Sequence, residues 1–136
     1  MSTDAQIEAE IQSKGKTAPR ITPADIEANI LMESYFTAAD GVRATGKEAV
    51  MEHTLLTFCV LVLRNGFTVT GVSACASPEN FDAEIGRKIA RQNAVERVWP
   101  LMGYELRSKL AAAADNDFPL GNACDLSGEG TCEACQ

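Results

Sequence analysis

The sequence predicts an α+β fold: an antiparallel β-hairpin or small sheet packed with an N-terminal helix and two C-terminal helices, in an oligomer. Three observations predict it. Asn65-Gly66 splits a run of β-branched and aromatic residues, LLTFCVLVLRNGFTVTGVSACA, into two arms of strand length. Thr22-Pro23 opens an apolar-periodic segment in the manner of a helix start. From Asn80 to Trp99, apolar residues recur at helical spacing until Pro100 intervenes.

Residues 1–19 alternate charge with small polar side chains and offer few apolar anchors, which reads as a flexible leader. The single domain then spans 20–118. Its first helix begins at Thr22, a capping residue, with Pro23 at the first helical position and Asp25 able to reach back to the cap. Ile26, Ile30 and Leu31 form its apolar face, with Tyr35 and Phe36 at its end, and Ala39-Asp40-Gly41 reads as the closing turn. The polar interval 43–52 is a loop or a short helix.

The arm Leu55–Leu63 is nearly all apolar, so both of its faces are expected to be buried, by helices on one side and a second subunit on the other. Asn and Gly both tolerate the positive φ of a tight turn. The second arm alternates, with Phe67, Val69, Gly71 and Ser73 on one face and Thr68, Thr70 and Val72 on the other. Ser77-Pro78-Glu79 marks a further helix entry. Phe81, Ile85, Ile89 and Trp99 then share one helical face, whereas Gly86, Ala90 and Ala94 make another, small enough to let a neighbouring backbone come close. Pro100 is expected to break or kink the run, and Leu106, Leu110 and the alanines support a last helix to about Ala114. Residues 119–136 read as a flexible tail holding Cys124, Cys132 and Cys135.

Composition narrows the functional classes. The 136 residues carry a formal charge of −7, and 46% are hydrophobic. A binder of long nucleic acid would show the opposite charge balance. No uninterrupted apolar run is long enough to span a membrane, and the acidic start MSTDAQIEAEIQSKGK lacks the basic head and apolar stretch of a secretory signal. The expected location is the cytoplasm, with thiols reduced.

Catalysis finds little support. The single histidine, His53, has no identifiable partner group and fits a hydrogen-bonded structural role better. Cys132 and Cys135 form a C-x-x-C with Cys124 upstream, and Cys59 or Cys75 would have to complete a zinc site. Both of the latter lie in strands, where cysteine behaves as a small apolar residue, so neither a metal nor another cofactor is expected.

Charge patterning is most informative between residues 79 and 110, where six basic residues face five acidic ones and leave −8 for the rest of the chain. Arg87 and Arg91 are four apart and project from one side of the helix. Two such forks can clamp a diphosphate; the plainer alternative is a solvated face with both paired to acids such as Glu84. Gln92 and Glu96 fall beside Ile85 and Ile89, which suits an interface, a polar network or a ligand edge, or the solvated rim of a core. Phe67 and Phe81 can stack on a base or fill the core.

The strings NGFTVTG, SPENFDAEIG and VWPLMGY, with the earlier ITPADIEANILMESYFTAADG, resemble the phage family typified by N4 gene 49 and Sf6 gene 66. That family includes the first type of Thoeris anti-defence protein: non-catalytic sponges for cyclic ADP-ribose isomers made by bacterial TIR-domain enzymes. Some of these also bind cyclic oligonucleotides of CBASS at separate sites in a hexamer. The resemblance implies a phage protein in the host cytoplasm that sequesters a small cyclic nucleotide. It implies a homo-oligomer, dimer-based and up to a hexamer. On that reading Arg87 and Arg91 hold the diphosphate, Arg97 or Arg64 stand in reserve, and Phe67, Phe81 and Asn80 recognise adenine and ribose. The competing reading is a structural or regulatory module that binds a protein through the hairpin edge and the small-residue helix face.

Overall fold

A computed structural model describes residues 3–16 and 18–117. Helix α1 (Asp4–Ser13) is followed by α2 (Pro23–Asn29), strand β1 (Ile30–Thr37) and α3 (Ala38–Ala44). A 3-10 turn (Met51–Leu55) leads into β2 (Leu56–Leu63), then β3 (Thr68–Ala74), a second 3-10 turn (Pro78–Asn80) and α4 (Ala83–Asp117). The three strands form one antiparallel sheet in the order β1-β2-β3. The fold is therefore α+β, as the sequence predicts, with one strand more than the hairpin.

That extra strand corrects the reading of the N-terminal helix. The Thr22 hydroxyl accepts from the Asp25 amide at 3.2 Å and the Asp25 carboxylate accepts from the Thr22 amide at 2.9 Å, so the helix starts where expected. It stops at Asn29, because Ile30–Thr37 pairs with β2: Tyr35 lies opposite Cys59 and Phe36 opposite Phe58. Ladder formation overrides the weak helical periodicity of Ile30, Leu31, Tyr35 and Phe36. Residues 39–41 are not a turn but the start of α3, capped by a reciprocal Thr37–Asp40 pair. Within the span read as a leader, Thr3 and Gln6 close a capping box on α1, and the Arg20 guanidinium grips both oxygens of Glu8 at 2.6 Å.

The hairpin turn uses its residues differently from the tight two-residue form. Gly66 alone adopts positive φ, at 89°, while the Asn65 side chain accepts from the Phe67 amide at 2.9 Å. The Leu63 amide donates to Phe67 and the Gly66 amide to Leu63, which gives a three-residue loop with a glycine bulge.

One face of the sheet carries the core. Thr57, Cys59, Leu61 and Leu63 of β2 are buried, together with Val69 and Gly71 of β3. Ala90, Ala94 and Val98 of α4 pack on them, with Ile26 from α2. The predicted small-residue face of α4 is thus its inner face, and Gly71 is what admits it. A Cβ on Gly71 would lie 2.9 Å from Ala94 Cα and closer still to the Ala90 carbonyl and the Ala94 amide. Ile85 and Ile89, which the sequence places on one helical face with Phe81 and Trp99, are 54% and 43% exposed, because the helix turns its smallest side chains to the sheet.

The other face of the sheet is open in a single chain. Leu56, Phe58, Val60 and Val62 alternate with the buried residues and are only half-buried, so one chain covers β2 on the helix side alone, as expected, and leaves the other side without a cover of its own. Register places Met32, Ser34 and Phe36 on this open face from β1, and Thr68, Thr70 and Val72 from β3. Phe36 and Phe58 stack there with ring centroids 5.3 Å apart.

Helix α4 continues through Pro100, which corrects the expectation of two C-terminal helices. Proline removes one backbone donor, and the helix formers on both sides sustain the remaining ladder. Among the described residues, those up to Met102 belong to the sheet-bearing unit, and those from Gly103 to Asp117 to a second. In the second, Lys109 pairs with Glu105 at 3.8 Å. The tail 119–136 with Cys124, Cys132 and Cys135 lies outside the described residues.

Candidate functional site

The beginning of α4 is fixed by side-chain caps. Asp82 accepts from the amides of Glu84 at 2.9 Å and Ile85 at 3.1 Å, so this helix start already carries its own carboxylate. Two clefts flank it. On the β1 side, a cleft of about 120 Å³ is lined by Tyr35, Phe36, Thr37, Asp40, Thr57, Ala83 and Arg87. On the β3 side, a cleft of about 190 Å³ includes Asn80, Phe81, Cys75, Ile85 and Ile89.

Arg87 and Arg91 share a helical face but not an environment. Arg87 is exposed and makes no ion pair among the described residues. Arg91 donates to both Glu27 oxygens, at 2.6 and 3.0 Å, and through Nε to Glu33 at 3.0 Å. Those bonds hold the Glu27 carboxyl below its ordinary range and raise the guanidinium further above its own. Glu33 also accepts from the Tyr35 hydroxyl at 3.1 Å. Burial first, then the neighbouring Cys59 and Glu33, push the Tyr35 phenol up to about 12. Glu84, the acid suggested as a partner for the arginines, pairs with Lys88 at 3.4 Å.

The other sequence candidates fall in separate places. Arg64 donates through Nε to the Ala28 carbonyl, closing the end of α2, and its amide donates to Asn29. Phe67 sits 56% exposed in the hairpin turn, beside Arg64 and at the far end of the strands from Asn80. Arg97 lies on the β3 side, its Nη1 3.4 Å from the Thr70 hydroxyl. A single chain therefore gathers Asn80, Phe81 and Arg87 about the first turns of α4, with Arg91 one turn on, and leaves Arg64 and Phe67 apart.

Sequence reasoning missed the residues that wall the Arg87 cleft: Tyr35, Phe36, Thr37 and Asp40. The signal was present as a Thr37-x-x-Asp40 capping pair directly after a β-rich stretch. It also missed Asn93, whose amide donates to the Val72 carbonyl at 2.8 Å and so occupies part of the β3 edge. The remaining titratable candidates are structural. His53 accepts from the Val50 amide through Nδ1 at 3.0 Å, and Cys59 is wholly buried, its thiol pKa raised by desolvation. Among the described residues no group of three His, Cys, Asp or Glu side chains is placed to hold a metal ion. Among them, too, no helix is long and apolar enough to cross a membrane.

These features define a small α+β protein whose three-stranded antiparallel sheet is covered on one face by a close-packed helix. The chain belongs to the Phage protein (N4 Gp49/phage Sf6 gene 66) family, which matches residues 21–110, all of the sheet and most of α4. No curated protein and no solved structure matches it.

Proposed function

We propose that this phage protein is a non-catalytic binder that sequesters a cyclic nucleotide immune signal, a cyclic ADP-ribose isomer in the first instance and CBASS cyclic oligonucleotides in the second. The observation that carries the reading is the contrast between two arginines one turn apart. Arg91 is saturated by two carboxylates, whereas Arg87 presents a guanidinium without an ion pair among the described residues at the mouth of a cleft. A diphosphate needs such a fork. Asn80 and Phe81, on the opposite flank of the same helix start, supply an amide and a ring for a nucleoside.

Size argues that the site is shared between copies of the chain. Each cleft is smaller than the roughly 300–1,000 Å³ of ordinary ligand pockets. Phe36 belongs both to the Arg87 cleft and to the open apolar face of the sheet, so a second copy seated on that face would add a wall to the cleft. Sequestration calls for nanomolar affinity, about −12 kcal/mol, and no turnover.

The test is calorimetric titration of the purified protein with a panel of cyclic ADP-ribose isomers, followed by heat release and chromatography of the ligand. Nanomolar binding with intact ligand returned is expected. Binding with altered ligand would make the protein an enzyme. No binding to the panel or to cyclic oligonucleotides would remove the nucleotide reading. Of the surfaces expected for the competing protein-binding module, the small-residue helix face is buried on the sheet, and Asn93 takes one carbonyl of the β3 edge. The open apolar face is the observation that would still favour it.

A further inference from the structure

A cleft larger than either of those at the start of α4 lies beneath the N-terminal helix. It has a volume of about 280 Å³ and is lined chiefly by Ile7 and Ile11 of α1, Ile21, Pro23 and Trp99, with Asp4 at its rim. Ile7 and Ile11 are four apart and face the same way. Helix α1 buries no residue at all, and Ile7 remains 45% exposed. What holds the helix in place is polar: Arg20 grips Glu8 with two bonds of 2.6 Å, while Gln12, within the same helix, steadies that carboxylate at 2.9 Å. An ion pair thus props an aliphatic stripe over an indole without closing the space between them. Well-packed apolar surfaces do not leave a gap of this size.

Charge at the rim selects the guest. Both Glu8 oxygens are taken, so that carboxylate is neutralised in place. Asp4 makes no hydrogen bond or ion pair among the described residues, and it stands one turn before Glu8 on the same side. No basic residue lies in residues 1–13. A guest with an apolar body and a cationic head would set its body between the isoleucines and Trp99 and its head at Asp4.

We propose that this groove is a binding site for a small aromatic or branched-alkyl ammonium compound, separate from the nucleotide site and independent of that reading. The volume suits a body of about ten heavy atoms, at the lower limit of ordinary small-molecule pockets.

Trp99 is the chain's single tryptophan, so its fluorescence reports this groove directly. Three probes of similar shape distinguish the terms: phenethylammonium, neutral 2-phenylethanol and anionic phenylacetate, each titrated into the full chain. A saturable change is expected with the ammonium, roughly tenfold weaker binding with the alcohol, and none with the carboxylate. Asp4→Asn should bring ammonium and alcohol to equal affinity, and Ile11→Lys should abolish the response to both while far-UV circular dichroism stays unchanged. Equal responses to all three probes, or none with the ammonium, would overturn the proposal. So would an undiminished preference for the ammonium in Asp4→Asn.

Discussion

Arg91 and Glu27, 64 residues apart, meet in a two-bond pair of 2.6 and 3.0 Å that ties the N-terminal third of α4 to α2. A third bond to Glu33 extends the tie to β1. The pair is partly exposed, with 29% and 56% of the two side chains accessible, so solvent screening reduces its contribution. Arg91→Ala should cost about 1–2 kcal/mol of stability in a urea melt. Because Arg91 is spoken for within its own chain, its loss should weaken nucleotide binding less than the loss of Arg87. The two variants, compared by calorimetry, check that order.

Arg87→Ala removes the fork that the nucleotide reading requires and touches no ion pair among the described residues. Stability should stay within about 0.5 kcal/mol of the parent, as for an ordinary surface change. Affinity for the cyclic nucleotide should fall by roughly 10–100-fold, the size of one charge-assisted contact. Unchanged affinity in a folded variant of the same oligomeric state would remove Arg87 from the site.

Gly71→Ala tests the contact between α4 and β3. The added methyl has only backbone to meet, and backbone cannot rotate aside as a side chain can. The helix would have to lift from the sheet, at a cost of about 3 kcal/mol or more. Thermal melting should detect it readily. Gly86→Ala is a graded comparison, since its Cβ would meet the Thr57 hydroxyl at 3.1 Å, a looser contact and with a side chain rather than backbone. A smaller loss is expected there.

The hairpin, the start of α2 and the close approach of Gly86, Ala90 and Ala94 were all legible in the sequence, because each is a local rule or a matter of side-chain size. What was not legible depends on partners distant in the chain. Ile30–Thr37 carries helical periodicity, and only the offer of β2 as a neighbour turns it into a strand. Periodicity put Ile85 and Ile89 on one face of α4 without saying which face meets the sheet; Gly71 draws the smaller residues inward and leaves the isoleucines outside. The fate of the arginines followed the same logic. Their spacing put Arg87 and Arg91 on one face, but only the folded chain brings Glu27 and Glu33 to one of them.

The Glu8–Arg20 pair gives a prediction with a definite pH window. Hydrogen bonds from Arg20 and Gln12 lower the Glu8 pKa from 4.5 to about 2. The folded value lies below the unfolded one, so the stabilisation is complete above about pH 4.5 and is lost as pH falls toward 2. Trp99, which lines the groove under α1, should change its fluorescence across that window as the helix loses its tether. Glu8→Gln should abolish the transition and give the low-pH signal at neutral pH.

The open sheet face should reveal its role through a charge. Val60 sits half-buried at its centre, between Ser34 on β1 and Thr70 on β3. Val60→Lys should convert an oligomer to monomer in sedimentation, since an unpaired ammonium is costly inside an interface. A variant that keeps the parent's mass in solution would show that the subunits meet elsewhere.

The missing side chain at position 71 has a consequence for how any ligand is met. With backbone pressed on backbone, α4 cannot roll or slide along the sheet without lifting clear of it. The two clefts at its first turns therefore keep a constant spacing, as jaws cut into one block do. A binder built this way spends little conformational entropy in closing on its guest, so a modest number of contacts can hold it tightly. Under the proposed nucleotide reading, such a site would discriminate by shape, admitting what already fits and refusing what would need the helix to move.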